Sequence, residues 1–218
     1  MMSASISARW AAVAATLGLA AMSWIFTLRE MSGMDMGVAT PLGSFDSFLE
    51  LWVMMMAAMM LPAAAPAVVR RAQADPRRRV VPLFVGSYLA VWTLAGILVY
   101  ALYQPHRSAI AGSLVIAAGI YELTRIKQHC RRRCQESLRS GWNFGLYCVG
   151  SSFGLMLMLV ALGVMSITWM IVIALLVLAQ KLLPPRAAID VPLALAIVAL
   201  GILIIVIPSA IPGLTQSM

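Results

Sequence analysis

The run from Trp52 to Pro66 carries no charge and is dominated by methionine and alanine, with Met54-Met55-Met56-Ala57-Ala58-Met59-Met60 at its centre. Extended to 48–69, it matches the roughly 20 apolar residues that a helix needs to cross the ~30 Å hydrocarbon core of a bilayer. In such a core every backbone polar group must find an internal partner, which leaves the helix as the natural conformation. Six further apolar runs behave in the same way. The pattern predicts an all-α, polytopic transmembrane bundle of about seven helices over 8–28, 48–69, 80–103, 108–126, 142–164, 168–183 and 191–211. The run 168–183 and the one before it could also form a re-entrant hairpin. The first helix lacks the pattern of a cleaved leader and is read as retained.

Composition agrees. The 218 residues are 62% hydrophobic and 11% charged, whereas soluble domains are near half apolar and a quarter charged. A net charge of +8 would suggest nucleic acid in a soluble protein. Here the placement of the charges argues otherwise, and no nucleic-acid partner is expected. With the N-terminus in the cytoplasm, the inner loops hold Arg9, then Arg70 to Arg79, then Arg125 to Arg139, then Lys181 and Arg186. That places fourteen of the sixteen basic residues inside and leaves Arg29 and Arg107 outside. This is the asymmetry that orients membrane helices, and it predicts a multi-pass protein of a bacterial inner membrane.

The methionines support two readings. On a helix, Trp52, Met55, Met56, Met59 and Met60 share one side, and Met55/Met59 and Met56/Met60 are i,i+4 pairs. Methionine fills gaps between packed helices and alanine lets them approach. Stacked thioethers also make a soft path for a monovalent metal such as Cu(I). Pro62 and Pro66 are expected to kink the end of this helix. A polar segment, 29–47, contains Met31, Met34 and Met36 around Asp35, either a soft-metal ligand set or an interfacial loop. Asp46 and Glu50 begin the second helix, where acidic residues suit the helix dipole.

The basic stretch 127–140 is expected to be a loop. Within it, His129-Cys130-Arg131-Arg132-Arg133-Cys134 puts two thiols one helical turn apart beside an imidazole. Neighbouring arginines favour thiolate, but the set falls short of the four ligands of a closed zinc site. A basic loop on anionic lipid that happens to hold cysteines is the alternative. Cys148 is the third cysteine. Glu122, about one turn inside the fourth helix, is expected to pair with Arg125 at i+3.

Three blocks carry a family resemblance. Trp52 to Pro62 resembles W-x-x-M-x-x-A-M-M-x-P. The second block is Tyr121-Glu122-Leu123-Thr124-Arg125-Ile126-Lys127 followed by Cys130 and Cys134. The third is Gly145-Leu146-Tyr147-Cys148-Val149-Gly150 followed by Leu155-Met156, Gly163-Val164-Met165, Trp169-Met170 and Lys181. Together they resemble the bacterial family called domain of unknown function 2182, predicted metal-binding integral membrane proteins. The resemblance implies a metal site and helps to mark Cys130, Cys134 and Cys148 as its thiols. It also exposes departures: Ser151-Ser152 stand where that pattern has two cysteines, and Gln180 where it has a glutamate.

No Walker loop, dinucleotide fingerprint, H-E-x-x-H or nucleophile elbow is present, and two histidines are too few for multi-haem ligation. An enzyme is not expected. One hypothesis is handling of a soft metal, Cu(I) or another, in or across the bilayer. The other is an accessory or structural subunit of a larger membrane complex with a degenerate metal site. Small residues such as Ala57, Gly112, Gly119, Gly145 and Gly154 would serve either as close helix contacts. If the orientation is right, a membrane-impermeant thiol reagent applied to intact cells leaves Cys130 and Cys134 unmodified; rapid labelling from outside would invert the topology.

Overall fold

The computed structural model describes residues 2–32, 43–75, 79–103, 108–136, 140–163, 166–183 and 187–207. Among these the chain is all helical: α1 (Met2–Met31), α2 (Phe45–Ala74), α3 (Val80–Leu102), α4 (Ser108–Glu122), α5 (Arg125–Glu136), α6 (Gly141–Leu162), α7 (Ile167–Leu182) and α8 (Ala187–Val206). Trp10–Met31, Phe45–Ala74, Val80–Leu102 and Gly141–Leu162 are long and apolar enough to cross a membrane. The bent pair Ala109–Glu122 and Arg125–Cys134 would be a fifth crossing, whereas Ile167–Leu182 and Asp190–Val206 are shorter apolar helices. The count by length and composition is therefore four or five, against the seven expected.

Two helices form the interior. α2 and α6 bury 67% and 61% of their apolar windows, against 28% for α1 and α3. α2 packs on α1, α3 and α7; α6 packs on α3, α4, α5 and α7. Every residue from Met55 to Leu61 is buried, so the methionines do not form one face opposite a lipid-facing side. Protein surrounds α2 at this level. The helix also runs unbroken through Pro62 and Pro66 to Ala74, beyond the end expected from the sequence. Trp52 anchors its N-terminal half: Nε1 donates to the Trp92 carbonyl at 2.9 Å, and the indole lies over Gly96, where any side chain would collide with it. Phe48 and Tyr100 continue the aromatic stack at 5.2 Å.

α4 and α8 meet backbone to backbone. A Cβ on Gly112 would lie 2.8 Å from the Gly201 carbonyl oxygen, and one on Gly201 would lie 2.9 Å from that of Gly112. Gly154 of α6 makes a similar approach to the Ala118 carbonyl of α4. Small residues thus set the interhelical spacing, as membrane-type packing requires.

The largest departure from the sequence reading lies between α4 and α6. The fourth helix stops at Glu122 instead of 126, and the expected basic loop is mostly a helix, α5, bent by 64° from α4. Thr124 makes the corner. Its hydroxyl donates to the Tyr121 carbonyl at 2.8 Å and accepts the Lys127 amide at 3.3 Å, which is the pattern of an N-cap that satisfies one orphan donor of a new helix. The inward side of α5 is polar: Lys127, Arg131 and Cys134 are buried at i, i+4 and i+7, while Arg125, Arg132 and Arg133 are exposed. Lys127 therefore takes the carboxylate that was assigned to Arg125. Arg131 reaches Asp190 at the start of α8 at 2.8 Å and the Leu183 carbonyl at 2.8 Å. Met31, expected in a polar segment, instead closes α1 and is buried.

Enclosure of α2 has a measurable consequence. Met56 is fully buried, so Met56→Ala should cost about 2–5 kcal/mol by leaving a cavity. Met56→Leu conserves volume and should cost under ~1.5 kcal/mol. Thermal denaturation in a mild detergent would separate them; two near-neutral variants would mean that this side chain faces lipid.

Candidate functional site

The polar side of α5 meets α6 and α7 at a cluster that four helices supply. α6 presents Cys148, Ser151 and Ser152 on its buried stripe, α5 presents Cys134, α7 presents Gln180 and Lys181, and α3 presents Tyr88. The side chains of Cys134 and Cys148 lie within interaction range of each other. Tyr88 Oη lies 3.3 Å from Cys148 Sγ. On the other side, Lys181 Nζ donates to Cys134 Sγ at 3.3 Å and to Ser151 Oγ at 2.6 Å. Ser151 gives its own proton to the Cys148 carbonyl, 2.9 Å away, so its oxygen is left to accept from the lysine. The serine thereby fixes the ammonium beside the sulfurs.

A carboxylate cluster adjoins it through α7. Glu122 Oε2 accepts from Lys127 Nζ and from Gln180 Nε2, the latter at 2.7 Å. Its Oε1 has no partner and points toward Gly154. An ionised residue in an apolar interior must be paired to stay charged. Here Lys127 supplies the counter-charge and Gln180 a further donor.

The residues proposed from sequence are therefore scattered. Cys134 and Cys148 come together. Cys130 is half-buried, with its sulfur against Gly150, and His129 is exposed. Among the described residues, no three of histidine, cysteine, aspartate and glutamate gather in a way that could hold a metal ion, so the convergence of three cysteines does not occur. Met55, Met56, Met59 and Met60 lie in the core with Met31. Met34 and Met36 lie outside the described residues.

Lys181, Tyr88 and Ser151 were missed as site members. Lys181 carried a faint signal, a lone cation at the end of an otherwise uncharged helix. Lys127, Arg131 and Cys134 carried a stronger one, the helical i, i+4, i+7 spacing in a stretch that was read as a loop. Tyr88 carried none.

Among the described residues, apolar helices of membrane length enclose two neighbouring buried thiols, a ligand type that suits soft metals. A family model described as copper chaperone, PpoB2, matches residues 49–204. The match spans more than half of the 218 residues, and the chain belongs to that copper chaperone family. It takes in every residue of the two clusters. No curated protein and no solved structure matches the chain.

Burial orders the reactivity of the thiols. Cys134 and Cys148 are each 2% exposed, whereas Cys130 is half-buried. Maleimide applied to the detergent-solubilised folded protein should modify Cys130 first, and denaturation should erase the difference. Site-resolved mass spectrometry reads the order.

Proposed function

We propose that the chain is a multi-pass protein of the bacterial inner membrane that carries Cu(I) between the sulfurs of Cys134 and Cys148. One observation carries the reading: two buried thiols already face each other, with a lysine held beside them. Cu(I) is a soft ion that suits thiolates, and two sulfurs are enough for its linear coordination. Membership in a copper chaperone family supports copper as the cargo. The basic-residue asymmetry supports a site toward the cytoplasmic side, where copper is held reduced.

The other side chains have separable tasks. Tyr88 and Lys181 orient one sulfur each. Ser151 positions Lys181. The Glu122–Lys127 pair ties α5 to α4 and the Arg131–Asp190 pair ties it to α8, which fixes the position of Cys134 beside α6. Outer contacts of this kind typically contribute 10–100-fold to metal affinity. The methionine core of α2 fits structural filling, since it is enclosed on all sides. The accessory-subunit reading draws on one observation, that only two thiols converge among the described residues, as a degenerate site would have it.

Anaerobic titration of the detergent-purified protein against a colorimetric Cu(I) chelator tests the proposal. One Cu(I) per chain is expected. Cys134→Ser and Cys148→Ser should each lose more than the roughly 10–100-fold that an outer contact is worth. Cys130→Ser should stay close to the parent. Unchanged affinity in both site variants would move the copper elsewhere and favour the accessory role.

A further inference from the structure

Charge within the buried clusters does not balance in the same way everywhere. Glu122 is matched by Lys127, and Asp190 by Arg131. Among the described residues, Lys181 has no carboxylate partner; its contacts are Ser151 Oγ, a neutral acceptor, and Cys134 Sγ. Tyr88, the remaining polar group at the thiol pair, is also neutral as a phenol. One positive charge is therefore held beside two sulfurs with nothing but those sulfurs to offset it.

Resting on the copper reading above, we infer that Lys181 is the specificity-determining residue of the site, fixing the charge of the cation it accepts at +1. Two thiolates with a monovalent ion carry one negative charge, and the ammonium cancels it. Two thiolates with a divalent ion are already neutral, so the same ammonium would be left uncompensated in an apolar bundle. Unit charges a few ångströms apart interact strongly where water is scarce, and an unpaired buried charge is costly. The preferred substrates are thus soft monovalent ions, Cu(I) and its analogue Ag(I). Soft divalent ions that also favour two-sulfur linear coordination are rejected by charge, not by geometry.

Ag(I) and Hg(II) isolate this effect, because both take two thiolates in a line and differ by one unit of charge. A Cys130→Ser background leaves Cys134 and Cys148 as the two remaining thiols. The affinity of each ion would be measured in detergent by competition with a small-molecule dithiol. Lys181→Met should shift the Ag(I)-to-Hg(II) affinity ratio toward Hg(II) by about tenfold or more, within the range of outer-contact effects. Lys181→Arg, which keeps the charge, should hold the ratio near that of the parent. If Lys181→Met does not elute as a folded species, Lys181→Gln gives the same readout with a polar, neutral side chain. A ratio unchanged by loss of the charge overturns the inference and leaves the copper site standing. Ag(I) bound equally well after Cys134→Ser and Cys148→Ser overturns the copper site and this inference with it.

Discussion

Buried charge governs how this bundle is put together. α5 brings a lysine, an arginine and a thiol into surroundings that are otherwise apolar, and none of these can be left without a partner. Together they find partners on four helices: Lys127 meets Glu122 on α4, Arg131 meets Asp190 on α8, and Cys134 meets Lys181 on α7 and Cys148 on α6. The directional contacts that position α5 are therefore the same ones that build the site. Apolar packing alone would not define its rotation, because Ile126 on this helix is exposed.

Much of the fold was legible in the sequence. The runs now forming α2, α3, α6 and α7 were placed within a few residues, except that α2 continues to Ala74, because uncharged stretches of that length have few alternatives. The glycines at 112, 119, 145 and 154 were also read correctly as close contacts. Each now faces a neighbouring helix at a distance that a side chain would occupy. What failed was the inference that a basic stretch must be a loop. Residues 127–136 have the composition of a solvated segment, and composition cannot reveal that Asp190 waits 59 residues further on. The pairing of Glu122 failed for a related reason. Helical spacing favoured Arg125, but the corner at Thr124 ends that helix and turns Lys127 inward instead.

The candidate site was half legible. Cys134 and Cys148 were named from residue type and resemblance, yet spacing could not show that Cys130, on the same helix, would stay outside the pair. One turn of helix separates Cys130 from Cys134, and packing against α6 sends the first to Gly150 and the second to Cys148. The serines at 151 and 152 first read as a loss. Ser151 has acquired a task as the acceptor that fixes Lys181, so the position contributes by hydrogen bonding where a sulfur would have contributed by ligation.

The contact between Arg131 and Asp190 bears on how the chain is made. The aspartate lies 59 residues after the arginine, and a ribosome adding about 5–20 residues per second needs roughly 3–12 s to cover that distance. For that interval the guanidinium lacks the carboxylate that it pairs with in the fold. A helix carrying it cannot settle into an apolar interior before α8 emerges, and water or lipid headgroups are its available company. The Arg131–Asp190 tie that holds α5 in place is therefore completed late in biogenesis, once α8 has been made, and a nascent chain stalled before Asp190 would carry Cys134 on a helix that this tie does not yet hold.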